Sequence, residues 1–141
     1  MADLIVDTSA LLAYFVTSEP DHCTVTEAID VLTDLLVVSP YVVAELDYLV
    51  ATRLGVDAEL AVLDELSGGA WELAGFGAEE LARARSIIAK YRGQEIAMAD
   101  ASNVVLAERH RTRTIVTLDR RHFSVLRPIT GGRFTLLPAV G

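Results

Sequence analysis

Four carboxylates interrupt otherwise apolar stretches of this chain: Asp7 in LIVDTSALL, Glu45 in SPYVVAELDYLV, Asp100 in IAMADASNVVLAER and Asp119 in TIVTLD. Isolated carboxylates are seldom buried, because desolvation costs several kcal/mol unless a partner compensates. Each acid has a local explanation. Asp7, Thr8 or Ser9 can cap the helix that follows. Glu45 can reach water from the edge of an apolar stripe. Asp100 can occupy the first turn of its helix, where the dipole favours it, and Asp119 can pair with Arg120 or Arg121. Jointly, the four are better explained by convergence on one point. Like charges a few ångströms apart raise one another's pKa unless a cation neutralises them. No Lys or Arg lies within several positions of Asp7, Glu45 or Asp100. All-oxygen ligation suits a hard divalent cation, Mg²⁺ or Mn²⁺, rather than zinc. Magnesium held by a few carboxylates keeps open water positions and engages phosphate oxygens, so the indicated chemistry is phosphoryl transfer.

The elements that must bring these acids together alternate along the chain. Strands are expected at 3–6, 35–38, 71–74, 114–117 and 134–137, each short and apolar. Helices are expected at 8–16, 22–34, from Ser39-Pro40 to about Arg53, at 57–66, 78–91 and 97–110. Ser39 supplies an N-cap with Pro40 at the first helical position, and Gly55 and Gly93 act as stops. Short apolar strands separated by helices imply an α/β fold, a mainly parallel five-stranded sheet with helices on both faces. Ligands of such sheets sit beyond the carboxyl ends of the strands, where strand order reverses. Asp7 and Asp119 each follow an apolar strand, so they can be neighbours there. On the third helix Val42, Glu45, Leu46 and Leu49 share a face by 3–4 spacing, which sets Glu45 beside a buried stripe and turns Asp47 elsewhere. Ala97, Val104 and Ala107 share the face of Asp100.

Size and charge narrow the class. A chain of 141 residues with 52% hydrophobic composition is expected to form one domain, 1–141. Cys23 is the sole cysteine, which excludes a disulfide framework and a cysteine metal site. The N-terminal stretch carries Asp3 and Asp7 and no basic residue before its apolar run, making it a poor signal peptide. No apolar run approaches the ~20 residues of a membrane span. A cytoplasmic protein without membrane attachment is expected. The net charge is −8, but residues 1–52 hold nine acids and no Lys or Arg. Residues 101–141 hold seven arginines against Glu108 and Asp119. A polyanion could therefore bind one basic edge of an acidic molecule, since contact is local and salt screens charge beyond ~10 Å. A solvated arginine-rich rim is the other reading.

The stretches IVDTSALLA, VVAELDYLV, ADASNVVLAER and TIVTLDRRHF, in this order and spacing, resemble the PIN-domain ribonucleases, and TLDRRHFSVLRP is especially similar to their VapC-type toxin branch. The resemblance spans nearly the whole domain. It implies a PIN-like α/β/α sandwich and an endoribonuclease toxin cutting structured RNA, tRNA or rRNA, to leave a 5′-phosphate and a 3′-hydroxyl. It also implies inhibition by a cognate VapB-type antitoxin. The family's acidic quartet falls on Asp7, Glu45, Asp100 and Asp119. Asn103 stands near the third motif, where some relatives carry a further acid, which leaves one or two metal ions open.

From both lines, Mg²⁺ held by the quartet, with Mn²⁺ as substitute, would activate water and stabilise charge on the scissile phosphate. Asp7 and Asp100 are the leading ligands; Glu45 and Asp119 ligate directly, through water, or orient the nucleophile. Thr8, Ser9 and Thr117 are candidate donors to these carboxylates or to phosphate, and strand-end and cap hydrogen bonding explains them equally well. Arg120, Arg121, Arg109, Arg111 and Arg113 are candidate RNA-phosphate contacts. His110 and His122 lack metal-ligand spacing and read as surface histidines. Trp71 reads as core. A homodimer is expected, because helices rich in Leu, Val and Ala on more than one face leave surface to bury. A response-regulator receiver is the runner-up by length and strand-end Asp, but the sole lysine, Lys90, falls on a helix. A catalytically inactive RNA- or protein-binding domain with a structural acid cluster is the third reading.

Overall fold

The computed structural model describes residues 3–139; the two residues at each end of the expected 1–141 domain lie outside that range. Four short strands carry the apolar runs: β1 (Asp3–Val6), β2 (Leu35–Val38), β4 (Thr114–Val116) and β5 (Thr135–Leu137). A two-residue strand, β3 (Glu72–Leu73), completes the sheet. Among the described residues the order is β3-β2-β1-β4-β5, and every pairing is parallel. "Mainly parallel" therefore becomes wholly parallel. Chain progression reverses between β1 and β4. A receiver would require a different order, with β2 and β3 flanking β1, so that runner-up is excluded by topology.

Period-two alternation explains why the central strands read as continuous apolar runs. Leu4, Val6, Val38 and Val116 point into one core with Leu11, Val42 and Leu46. Ile5, Val37 and Ile115 point into the other with Val104, Leu106 and Phe123. The first core belongs to α1 (Thr8–Phe15), α2 (His22–Asp30), α3 (Pro40–Leu54) and α4 (Val56–Ser67). The second belongs to α5 (Ala78–Lys90), α6 (Met98–Arg109) and α7 (Arg120–Val125). Each fully buried Leu, Ile or Val contributes about 1.5–3 kcal/mol. Trp71 is buried against Tyr14 and Phe15, at ring separations of 5.5 and 5.8 Å, and so belongs to the core as expected.

Two boundary features bear on the site. Ser39 caps α3 by accepting from the Tyr41 N–H at 3.1 Å. Its Oγ also lies 2.6 Å from Ser102 Oγ. Ser102 donates its own proton to Ala99 O at 2.7 Å, so Ser39 must be the donor between the two hydroxyls. This buried pair ties the start of α3 to α6 two residues beyond Asp100. α2 stops at Asp30 instead of running to 34, and α7 is a helix with no counterpart in the periodicity.

Candidate functional site

Asp7 follows β1 and Asp119 lies just beyond β4, on neighbouring strands at the reversal point. Asp100 enters from the first turn of α6. Asp7 occupies the N-cap position of α1 but makes no side-chain capping bond with that helix. Its carboxylate is instead held from several other directions. Oδ1 accepts from Asn103 Nδ2 at 3.0 Å, and Oδ2 accepts from Thr117 Oγ1 at 2.9 Å and Ser9 Oγ at 3.2 Å. Thr117 Oγ1 in turn accepts from the Asp119 N–H at 2.9 Å, and Ser9 Oγ accepts from the Leu118 N–H at 2.9 Å. One hydroxyl thus fixes the Asp7 carboxylate and the backbone entering Asp119 together. Thr8 is buried, but its Oγ1 has no hydrogen-bond partner.

The charges are not independent. Burial pushes the Asp7 carboxyl up from its ordinary value, and the Asp119 charge adds to the effect; the Thr117, Thr8 backbone and Ser9 hydrogen bonds act against it. Asp100, 8% exposed, is pushed up to about 6. Burial is the main cause, with the Asp7 and Asp119 charges raising it further and His122 and the Ala97 N–H opposing. The buried cluster therefore disfavours its own ionised form, the behaviour of carboxylates awaiting a cation.

His122, read from the sequence as a surface histidine, belongs to this cluster. Its Nδ1 lies 2.9 Å from Asp119 Oδ2 and 3.3 Å from Asp100 Oδ2. Asp119 Oδ1 caps α7 by accepting the His122 N–H at 3.1 Å, which fixes the histidine in the first turn beside the acids. Asp100, Asp119 and His122 offer ligand atoms all within 4.8 Å of one another. Sequence spacing could not reveal this, because Asp100 and His122 reach the point from different helices. Among the described residues, no ion pair links Lys or Arg to Asp7, Asp100 or Asp119.

Among the described residues, Glu45 forms no hydrogen bond or ion pair with these groups. It is exposed on α3, where the buried stripe is Val42, Leu46 and Val50; Asp47, one step round, is half-buried. The stripe is narrower than the 3–4 spacing implied, because Leu49 is only half-buried, and Glu45 lies beside it.

The arginines divide into two sets. Arg120 and Arg121 open α7 next to Asp119, and the Arg120 guanidinium bonds Pro138 O. Arg109 ends α6, nine residues from Asp100, or about 13 Å along the helix axis. Arg113 precedes β4, and Arg111 precedes it by two residues. The contact of His110 Nδ1 with Asp3 Oδ2, 2.8 Å at the start of β1, places this end of α6 at the amino ends of the strands. Arg109 is occupied by Gly75 O and Glu80, and Arg113 by Thr130. A cavity of about 450 Å³ between Ala107, Arg111, Arg113 and Pro128 also lies there, away from the acids.

Residues 4–127 match the PIN domain. The chain is 71% identical over 135 residues to Ribonuclease VapC26 of Mycobacterium tuberculosis, covering 96% of this chain and 100% of that protein. Its fold is similar to that of M. tuberculosis VapC20, a sarcin–ricin-loop-cleaving toxin, with a TM-score of 0.78 at 17% identity over 83% of this chain and 90% of the other. DNA-bound VapBC from Salmonella typhimurium gives a TM-score of 0.71 at 20% identity over 96% and 98% of the respective chains. With its acids gathered at the reversal point of a parallel sheet and the match running through all of them, the chain belongs to the PIN-domain family, in its VapC ribonuclease branch.

Proposed function

We propose that this protein is a Mg²⁺-dependent endoribonuclease toxin that cuts tRNA or rRNA in the cytoplasm. The single observation that carries the reading is the meeting of Asp7, Asp100 and Asp119 with, among the described residues, no arginine or lysine ion-paired to them. The donor set fits a divalent cation on its own chemistry. Its oxygens are hard, two of the carboxyls are held above their ordinary pKa, and a buried ring nitrogen beside them makes no hydrogen bond. Asp7, Asp100 and Asp119 would hold the ion, with Glu45 a further acid that ligates through water or orients the nucleophile. A bound divalent cation lowers the pKa of water and stabilises charge on a phosphate undergoing in-line attack.

The chain's own groups do the positioning. Asn103, Thr117 and Ser9 fix both oxygens of Asp7, so that its orientation survives the arrival of substrate. Arg120 and Arg121 grip the RNA backbone beside the cut, contacts that position without reading sequence. The expected products carry a 5′-phosphate and a 3′-hydroxyl. Cleavage of structured RNA with Mg²⁺, abolished by chelation and by Asp7→Asn with the fold intact, is the test. RNA that stays intact under all conditions while still binding would favour the inactive-module reading.

Two partner assignments accompany this function. A VapB-type antitoxin neutralises the toxin, a reading supported by the VapC relatives and by the VapBC complex among the structural neighbours. A homodimer is supported by Tyr48, Leu54, Val56 and Leu60, apolar side chains at least half exposed on α3 and α4. A sedimentation mass of one chain across a wide concentration range would remove the dimer.

A further inference from the structure

We propose that His122 Nδ1 is a ligand of the cation site, making it a mixed nitrogen–oxygen centre that favours Mn²⁺ over Mg²⁺. This rests on the reading of the acids as a cation site and adds a residue type that an all-carboxylate site lacks.

The geometry is the first support. In an octahedral centre with bonds of about 2.1 Å, adjacent ligand atoms lie about 3.0 Å apart. Nδ1 stands 2.9 and 3.3 Å from one oxygen each of Asp119 and Asp100, the edge lengths of such a polyhedron.

The second support is what Nδ1 does not do. It is buried, yet neither contact is aligned as a hydrogen bond. A protonated imidazole serving as the acids' counter-ion would direct its N–H at one of them. A ring nitrogen that crowds two carboxylates while bonding neither is placed as a third ligand around a shared centre. The free Oδ2 of Asp119 follows from the same construction. Its other oxygen is committed to the His122 N–H, so one short helix start sets both the carboxylate and the imidazole. The other described histidines are engaged elsewhere: His110 Nδ1 faces Asp3 at 2.8 Å and His22 Nδ1 faces Ala13 O at 2.7 Å.

Mg²⁺ strongly prefers oxygen, whereas Mn²⁺, a softer cation of similar size and coordination number, accepts an imidazole nitrogen among its ligands. Replacing His122 should therefore cost more affinity for Mn²⁺ than for Mg²⁺. The test is electron spin-echo envelope modulation of the full-length protein loaded with Mn²⁺ in nitrogen-free buffer, paired with calorimetric titration of Mn²⁺ and Mg²⁺. The wild type should show ¹⁴N coupling typical of a directly bound imidazole. His122→Ala should lose it, and the Mn²⁺-over-Mg²⁺ preference should fall about 10-fold. Mn²⁺ bound to wild type without ¹⁴N coupling overturns the assignment and leaves the carboxylate site standing. Coupling that persists in His122→Ala also overturns it. Failure of the wild type to bind Mn²⁺ at millimolar concentration overturns the cation reading beneath it. The wild-type spectrum decides the question even if the variant does not fold.

Discussion

Removing the charge of Asp100 should stabilise the metal-free protein while disabling it. The Asp100 carboxyl is pushed from 3.8 to about 6 by burial and by the charges of Asp7 and Asp119. At about 1.4 kcal/mol per unit, keeping it ionised in the folded state costs about 3 kcal/mol. The sign follows from linkage. A carboxyl whose folded pKa lies above its unfolded one favours folding fully below the unfolded value. That contribution is lost as pH rises through the folded value. The metal-free wild type should therefore lose stability between about pH 4 and pH 7, and Asp100→Asn should lose less, its remaining dependence coming from the buried Asp7 carboxyl. At pH 8 the variant should be more stable by about 2–3 kcal/mol, or roughly 6–10 °C in Tm for a domain of this size. At pH 4 the two should melt within about 1 °C of each other. The assay is differential scanning calorimetry in EDTA at both pH values, repeated at pH 8 with saturating Mg²⁺ or Mn²⁺. Cation should raise the wild-type Tm and leave the variant nearly unmoved. A variant less stable than wild type at pH 8, or a difference equal at both pH values, would show that the buried Asp100 charge does not destabilise the fold.

Three further outcomes are expected. Thr117→Val, which removes the hydroxyl bridging Asp7 Oδ2 and the Asp119 N–H, should destabilise the fold by about 1–3 kcal/mol and lower cleavage, with Thr117→Ser restoring most of both in urea melts and RNA assays. Ser39→Ala removes the cap of α3 and its buried bond to Ser102, so chemical denaturation should report a loss of about 2 kcal/mol with the slope unchanged. Neutralising Arg120 and Arg121 together should lower kcat/KM on a short RNA about 10-fold and flatten its salt dependence. Neutralising Arg111 and Arg113, at the other end of the sheet, should leave that short substrate within about 3-fold of wild type and give no change in salt slope.

The sheet and most of the site were legible because their signals are local. LIVD and TIVTLD each put an acid just past a buried strand, and parallel topology turns two such ends into neighbours. Asp100 stood out because a charge among small apolar residues needs a reason, and Asn103, on the same helix, fell to the same point. The candidates that stand apart from the acids do so for a different reason. Glu45 was read from a helical face whose buried width is set by what α3 packs against, and Val42, Leu46 and Val50 take all of it. Arg109, Arg111 and Arg113 follow Asp100 closely in sequence, but α6 runs the length of the sheet and delivers them to its far end. His122 was invisible for the opposite reason. It sits on a six-residue helix too short for periodicity and meets Asp100 across 22 positions of chain.

Anomalous diffraction from crystals grown or soaked in Mn²⁺ would show whether these acids hold a cation. A strong peak is expected about 2.1 Å from carboxylate oxygens of Asp100 and Asp119, with Asp7 bound directly or through one water. Crystals saturated with Mn²⁺ in which that position is empty, or in which an arginine of the chain fills it, would contradict the account.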